Sequence, residues 1–202
     1  DLNGLSILLD CANGATYSVA PKVFSELGAN VDTIGASPDG ININQNCGST
    51  SPDALKEAII KGSYDIGIAF DGDGDRILIV NSDGDVLDGD DILYILSKEI
   101  PDNSGVVGTL MTNKALELYF QSEGIEFSRA DVGDKYVLQR LIERSWVLGG
   151  EPSGHIICLD SAPTGDAIVA ALKFLNATKD KGFSVEKSLE GFKKFPQTLI
   201  NL

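Results

Sequence analysis

Asp71-Gly72-Asp73-Gly74-Asp75-Arg76 places three carboxylates within five residues, spaced by glycines and followed at once by a cation. Carboxylates forced this close repel one another, and a divalent ion with a preference for hard oxygen ligands relieves the repulsion. A calcium EF-hand loop also opens D-x-D-x-D. Its sixth position should be glycine and is Arg76, and its twelfth should be glutamate and is Ser82. Magnesium takes few protein carboxylates and shares its other positions with water and phosphate, so it fits better. Asp71, Asp73 and Asp75 are therefore the expected metal ligands. Arg76 either balances their charge or offers its planar fork to a phosphate on the same ion. Asp83 and Asp85 flank Gly84 and read as turn residues.

A second unusual stretch is Gly149-Gly150-Glu151-Pro152-Ser153-Gly154-His155, which holds the single histidine. A hydrolase nucleophile elbow, G-x-S-x-G, would need glycine where Glu151 stands. Glutamate, hydroxyl and imidazole on one glycine-flanked loop suit a polyhydroxylated ligand. A turn whose His155 merely caps a strand accounts for the same residues.

The elements around these loops predict where they sit. Apolar periodicity gives strand Leu5–Asp10, helix Thr16–Leu27, strand Val31–Ile34, helix Pro52–Lys61 and strand Ile66–Phe70. Ser51 before Pro52 reads as an N-cap followed by proline in the first turn. Strand Ile77–Asn81 and a helix from Asp90 to about Ile100 follow. Past the turn formers Pro101–Gly105 the order repeats: strands Val106–Thr109, Ile125–Arg129, Val147–Gly149 and Ile156–Leu159, with helices Lys114–Glu123, Lys135–Arg144 and Asp166–Asn176. Phe24–Gly28 matches Phe120–Gly124, and Asp88–Ile92 matches Thr164–Ile168. Two duplicated three-layer α/β domains are expected, 1–101 and 102–202. Each should carry a mostly parallel four-stranded sheet with an antiparallel last strand, because the third-to-fourth link is too short for a parallel crossover. Both unusual loops then leave the carboxyl end of a third strand, where α/β sheets bind ligands.

Composition narrows the partners. The formal charge is −14, of which residues 1–101 carry −12. That argues against nucleic acid and anionic membrane surfaces, which recruit basic patches. No apolar run reaches the roughly 18–20 residues of a membrane helix, and the first residues lack the order of a signal peptide. Three cysteines without a CxxC pair favour a reducing cytoplasm.

Together the loops resemble the α-D-phosphohexomutase superfamily, in which such an aspartate loop binds magnesium and a G-E-x-S-G-H loop reads the sugar. The phosphoglucosamine mutase branch is the more similar. Asp10–Thr16, Pro38–Asn44 with Cys47-Gly48, Val106–Met111, Val132–Val137 and Thr164–Asp166 carry that likeness. The resemblance implies interconversion of glucosamine 6-phosphate and glucosamine 1-phosphate through a phosphoserine and a bisphosphorylated sugar, glucose or glucosamine 1,6-bisphosphate serving as activator. This chain would supply the second and third of four domains. Neither the T-x-S-H-N motif of the first nor the R-x-S-G-T loop of the fourth occurs in it, and Phe195–Asn201 resembles the linker into the fourth. The implied roles are magnesium on Asp71, Asp73 and Asp75, Arg76 on the transferring phosphate, and Glu151 and Ser153 on sugar hydroxyls. His155 would position groups or move a proton. Lys135, where that branch leads one to expect arginine, would contact substrate. The chain alone should be inactive, and the resemblance is compatible with a homodimer of the whole enzyme. Rival readings are a phosphomannomutase or phosphoglucomutase of the same superfamily, or a non-catalytic module binding magnesium or a sugar phosphate.

Overall fold

A computed structural model describes residues 1–198; Leu199, Ile200 and Asn201 of the linker-like segment lie outside them. In the first half, β1 (Ser6–Asp10), α1 (Val19–Glu26), β2 (Asn30–Ile34), α2 (Asp53–Lys61), β3 (Ile66–Phe70), β4 (Ile77–Asn81) and β5 (Val86–Leu87) form one sheet with its helices. The strand order is β2-β1-β3-β4-β5, with β1, β2 and β3 parallel, β4 antiparallel to β3 and β5 antiparallel to β4. The expected four strands thus gain a fifth. Two residues are too few to show alternation, and β5 exists because the Asp83–Asp85 turn folds it back onto β4.

After α3 (Gly89–Leu96) comes the second set: β6 (Val106–Thr109), α4 (Lys114–Glu123), β7 (Phe127–Ala130), α5 (Asp134–Arg144), β8 (Leu148–Gly150), β9 (Ile156–Cys158), α6 (Ala167–Thr178) and the short α7 (Val185–Ser188). Its sheet runs β7-β6-β8-β9 with only β9 antiparallel. Several helix limits differ from the periodicity by one or two residues, α6 for one running on to Thr178 with Asp166 as its N-cap, and three differ in kind. Ala15–Tyr17 is a 3₁₀ turn ahead of α1, Pro52 itself takes the N-cap of α2, and α3 gives way at Ser97–Glu99 to another 3₁₀ turn. Asp88 starts α3 through a capping box, accepting from Asp91 N while Asp91 accepts from Asp88 N.

The central parallel strands β1, β3, β6 and β8 are buried on both faces, as their continuous apolar runs require, while the edge strand β2 is largely exposed. On one face Leu8, Ala69 and Val80 meet Leu55 and Ile59 of α2. On the other, Ile7, Leu9, Ile66 and Ile68 join Phe24, Phe120 and Phe174 in a core continuous with the inner face of the second sheet. Val107, Val137, Leu141 and Trp146 close the outer face of that sheet. Helix α6 packs on both β4 and β9, and α3, although it precedes the Pro101–Gly105 loop, packs on β8 and α6. This shared helical layer holds the carboxyl ends of β3 and β8 against each other.

Candidate functional site

The aspartate loop leaves the end of β3 and turns back into β4, with Gly74 in the left-handed region at φ +79°. Asp71 is fully buried and organises the turn: its Oδ1 accepts from the backbone N–H groups of Gly74, Asp75 and Arg76 at 3.2, 3.1 and 3.0 Å. Its Oδ2 accepts from Arg76 Nε at 2.8 Å. Burial by itself raises the Asp71 carboxyl, but the Arg76 N–H, the neighbouring Asp73 and the guanidinium outweigh it and hold Asp71 below the usual range. Asp75 goes the other way, raised by burial and then by the Asp71 charge, with His155 opposing. Asp75 Oδ1 is buried and makes no hydrogen bond, lying 3.5 Å from Arg76 Nε.

Asp71, Asp73 and Asp75 each offer an oxygen within 4.8 Å of the others. An all-oxygen set with one buried, unbonded carboxylate oxygen fits a hard divalent cation. In this arrangement Arg76 neutralises Asp71 through Nε. No hydrogen bond among the described residues uses its two terminal nitrogens, and the side chain is 40 % exposed. Both roles open to Arg76 are compatible with that geometry.

Tertiary packing brings the second loop to the first. Ile77 N donates to Gly154 O at 3.0 Å, Arg76 pairs with His155 in an antiparallel bridge, and Gly89 N donates to Pro152 O at 3.2 Å. A Cβ on Gly154, at φ +92°, would lie 2.0 Å from Ile77 O, so only glycine permits this approach. His155 is buried, with Nδ1 3.2 Å from Asp75 Oδ2. Glu151 is also buried, and its Oε2 accepts from Gly133 N at the start of α5. Ser153 is exposed at the loop tip. Lys135 is exposed in the first turn of α5, its Nζ 4.6 Å from the Tyr136 ring centroid. The expected site residues therefore divide: Asp71, Asp73, Asp75, Arg76 and His155 form one cluster, Glu151 and Ser153 share the adjoining loop, and Lys135 lies two residues beyond Gly133, the partner of Glu151.

Three supports carried no chemical signature of their own. Asp10, buried at the end of β1, accepts from Ala12 N at 3.0 Å and Gly48 N at 2.7 Å, tying two loops together behind the aspartates. Ala15 N donates to Gly72 O at 2.8 Å, and a Cβ on Gly14 would lie 2.2 Å from the same oxygen. A groove of 400 Å³ beside Asp73 is lined by Asn13, Tyr17, Asn42 and Ile43. Gly14 was readable as part of the Asp10–Thr16 likeness, but only the fold gives its reason.

Family comparison matches both halves. Residues 2–84 match phosphoglucomutase/phosphomannomutase alpha/beta/alpha domain II, and residues 88–195 match alpha/beta/alpha domain III. The chain belongs to the phosphoglucomutase/phosphomannomutase family. Among relatives in that family, the phosphoglucosamine mutase of Pseudomonas entomophila is 53 % identical over 206 residues, covering 100 % of this chain and 46 % of that protein. That of Psychrobacter cryohalolentis is 54 % identical over 203 residues, covering 100 % and 45 %. The chain thus spans about half the length of the curated relatives it matches.

Solved structures carry the same fold. A family member from Burkholderia thailandensis superposes with a TM-score of 0.84 at 23 % identity, over 94 % of this chain and 43 % of that one. Aspergillus fumigatus N-acetylphosphoglucosamine mutase in complex with GlcNAc-6P and magnesium gives 0.75 at 19 % identity, over 96 % and 47 %. The second domain model begins at residue 88, ahead of α3, the helix that packs on β8. Among the described residues no helix is long and apolar enough to cross a membrane.

Proposed function

We propose that this chain is the central part of a phosphoglucosamine mutase of the cytoplasm, in which residues 1–101 carry the metal loop and 102–202 the sugar loop. The observation that carries the reading is the main-chain junction of the two loops, Ile77 N to Gly154 O with the Arg76–His155 bridge. It gives a cation site and a hydroxyl-reading loop one shared edge. The branch is supported by relatives of that name at 53 % and 54 % identity along the whole chain.

Asp71, Asp73 and Asp75 would hold magnesium, which when bound supplies charge stabilisation for phosphoryl transfer. Asp71 keeps the loop in shape through its three backbone N–H partners and remains ionised because those donors favour the charged form. Arg76, anchored at Nε, turns its remaining donors to the transferring phosphate. Glu151 and Ser153 hydrogen-bond sugar hydroxyls, Glu151 through the oxygen that Gly133 does not use. Lys135 adds positive charge near the substrate, and His155 orients Asp75. The substrate is a hexosamine phosphate, the activator a hexose 1,6-bisphosphate, and the phosphoserine and the second phosphate-binding loop belong to the first and fourth domains.

Turnover of glucosamine, glucose and mannose 6-phosphates by the polypeptide of full family length, with magnesium and bisphosphate, tests this. Preference for glucosamine 6-phosphate, with none processed by the 202-residue chain alone, is expected. Preference for another sugar refutes the branch, turnover by the chain alone refutes the division of labour, and no turnover by either supports a binding module instead.

A further inference from the structure

The connection from β9 into α6 touches the metal loop at one point and the His155 ring at another. Ala167 N donates to Gly74 O at 3.0 Å. Two residues earlier, Gly165 lies against the edge of the His155 ring: an added Cβ would sit 2.3 Å from Nε2, 2.6 Å from Cε1 and 3.0 Å from Cδ2. Those three ring atoms are its nearest neighbours. Gly165 does not adopt positive φ, so the backbone there tolerates a side chain and the obstacle is steric alone. His155 is buried, and its backbone is held by the Glu151 N–H on its carbonyl and by the bridge to Arg76, so an enlarged residue 165 pushes on the ring rather than on the strand that carries it. Its Nε2 is buried and unbonded, and its Nδ1 lies 3.2 Å from Asp75 Oδ2.

We propose that Gly165 is a positioning residue: its missing side chain lets the His155 imidazole lie against Asp75 and so sets the third carboxylate of the aspartate loop. The consequence for metal binding rests on the magnesium reading above; the placement of the ring does not. Ala167 is hydrogen-bonded to Gly74, so the connection cannot swing away from an enlarged residue 165 without releasing the metal loop. Either response disturbs Asp75. Groups that orient a metal ligand commonly govern affinity about as strongly as a ligand's own contacts do.

His155 is the sole histidine, so its imidazole nitrogens give an unambiguous ¹⁵N spectrum in the whole chain. Gly165→Ala should move those resonances at constant pH without metal; an unchanged spectrum overturns the proposal. Manganese, a hard-ligand substitute for magnesium, can be titrated by electron paramagnetic resonance. Gly165→Ala and His155→Ala should each weaken its binding by about ten-fold or more. The double variant should be no weaker than His155→Ala, because the clash has gone; multiplicative losses overturn the proposal. Wild-type protein that binds no manganese refutes the metal reading while leaving the ¹⁵N test standing. If Gly165→Ala fails to fold, recovery of folding in the double variant supports the proposal, and failure there as well overturns it.

Discussion

Replacing Asp90 with asparagine should flatten the chain's loss of stability between acid and neutral pH. Asp90 is 2 % exposed in the first turn of α3, with Oδ2 accepting from Asn113 N at 2.8 Å and Oδ1 buried without a partner. Burial raises its carboxyl from 3.8 to about 6; the Asn113 N–H opposes, the Asp88 charge adds, Lys194 opposes and Asp91 adds. Below pH 3.8 folded and unfolded chains both hold this proton, and the group is neutral to stability. As pH rises the unfolded chain releases it first, so stability falls until the folded group ionises near 6, and the loss then persists. The interval corresponds to about 3 kcal/mol. Urea denaturation of wild type and Asp90→Asn from pH 4 to pH 8 at constant ionic strength reads it. Burial also raises Asp10 and Asp91, so the wild-type slope contains their contributions; the difference between the two proteins isolates Asp90. Asparagine can still accept from Asn113. A difference that stays constant across the pH range, or that favours asparagine more at pH 4 than at pH 7, refutes the reasoning.

Asp73 is exposed, so Asp73→Ala should leave the metal-free melting temperature nearly unchanged while abolishing its rise with magnesium, as calorimetry would record. Gly154→Ala meets both a positive φ and Ile77 O, and should cost about 2 kcal/mol or more in urea denaturation; a cost within experimental error would mean the two loops part readily. Phe174→Ala empties a fully buried site in the helix shared by both sheets and should cost about 3–5 kcal/mol, shifting the transitions of both halves together; movement of one alone would show that the core is not continuous. Cys11 and Cys158 are buried, which raises both thiols to about 11, so native protein should label slowly at pH 8 and urea-unfolded protein at once.

What the sequence determined by itself is whatever short-range spacing encodes. Alternating and continuous apolar runs specify the parallel strands and their helices, because burial on both faces leaves no other pattern. The D-G-D-G-D-R spacing specifies a carboxylate cluster wherever that loop lies, since glycines let the chain turn and adjacency forces the charges together. Elements whose cause is distant were not legible. β5 is two residues held by its pairing with β4, and α3 stops at Leu96 although the apolar pattern runs on. The site follows the same division. Asp71, Asp73 and Asp75 are local, but the approach of His155 to Asp75 joins the two halves, which α6 packs against together, and the turn of Glu151 onto Gly133 and the fit of Gly165 against the ring are set by the packing of loops within the second half. Those contacts join separate loops, Asp75 and His155 being 80 residues apart, and the glycines beside them, Gly154 and Gly165, are marked only by what an extra methyl would strike. The tertiary structure alone brings the two unusual loops together.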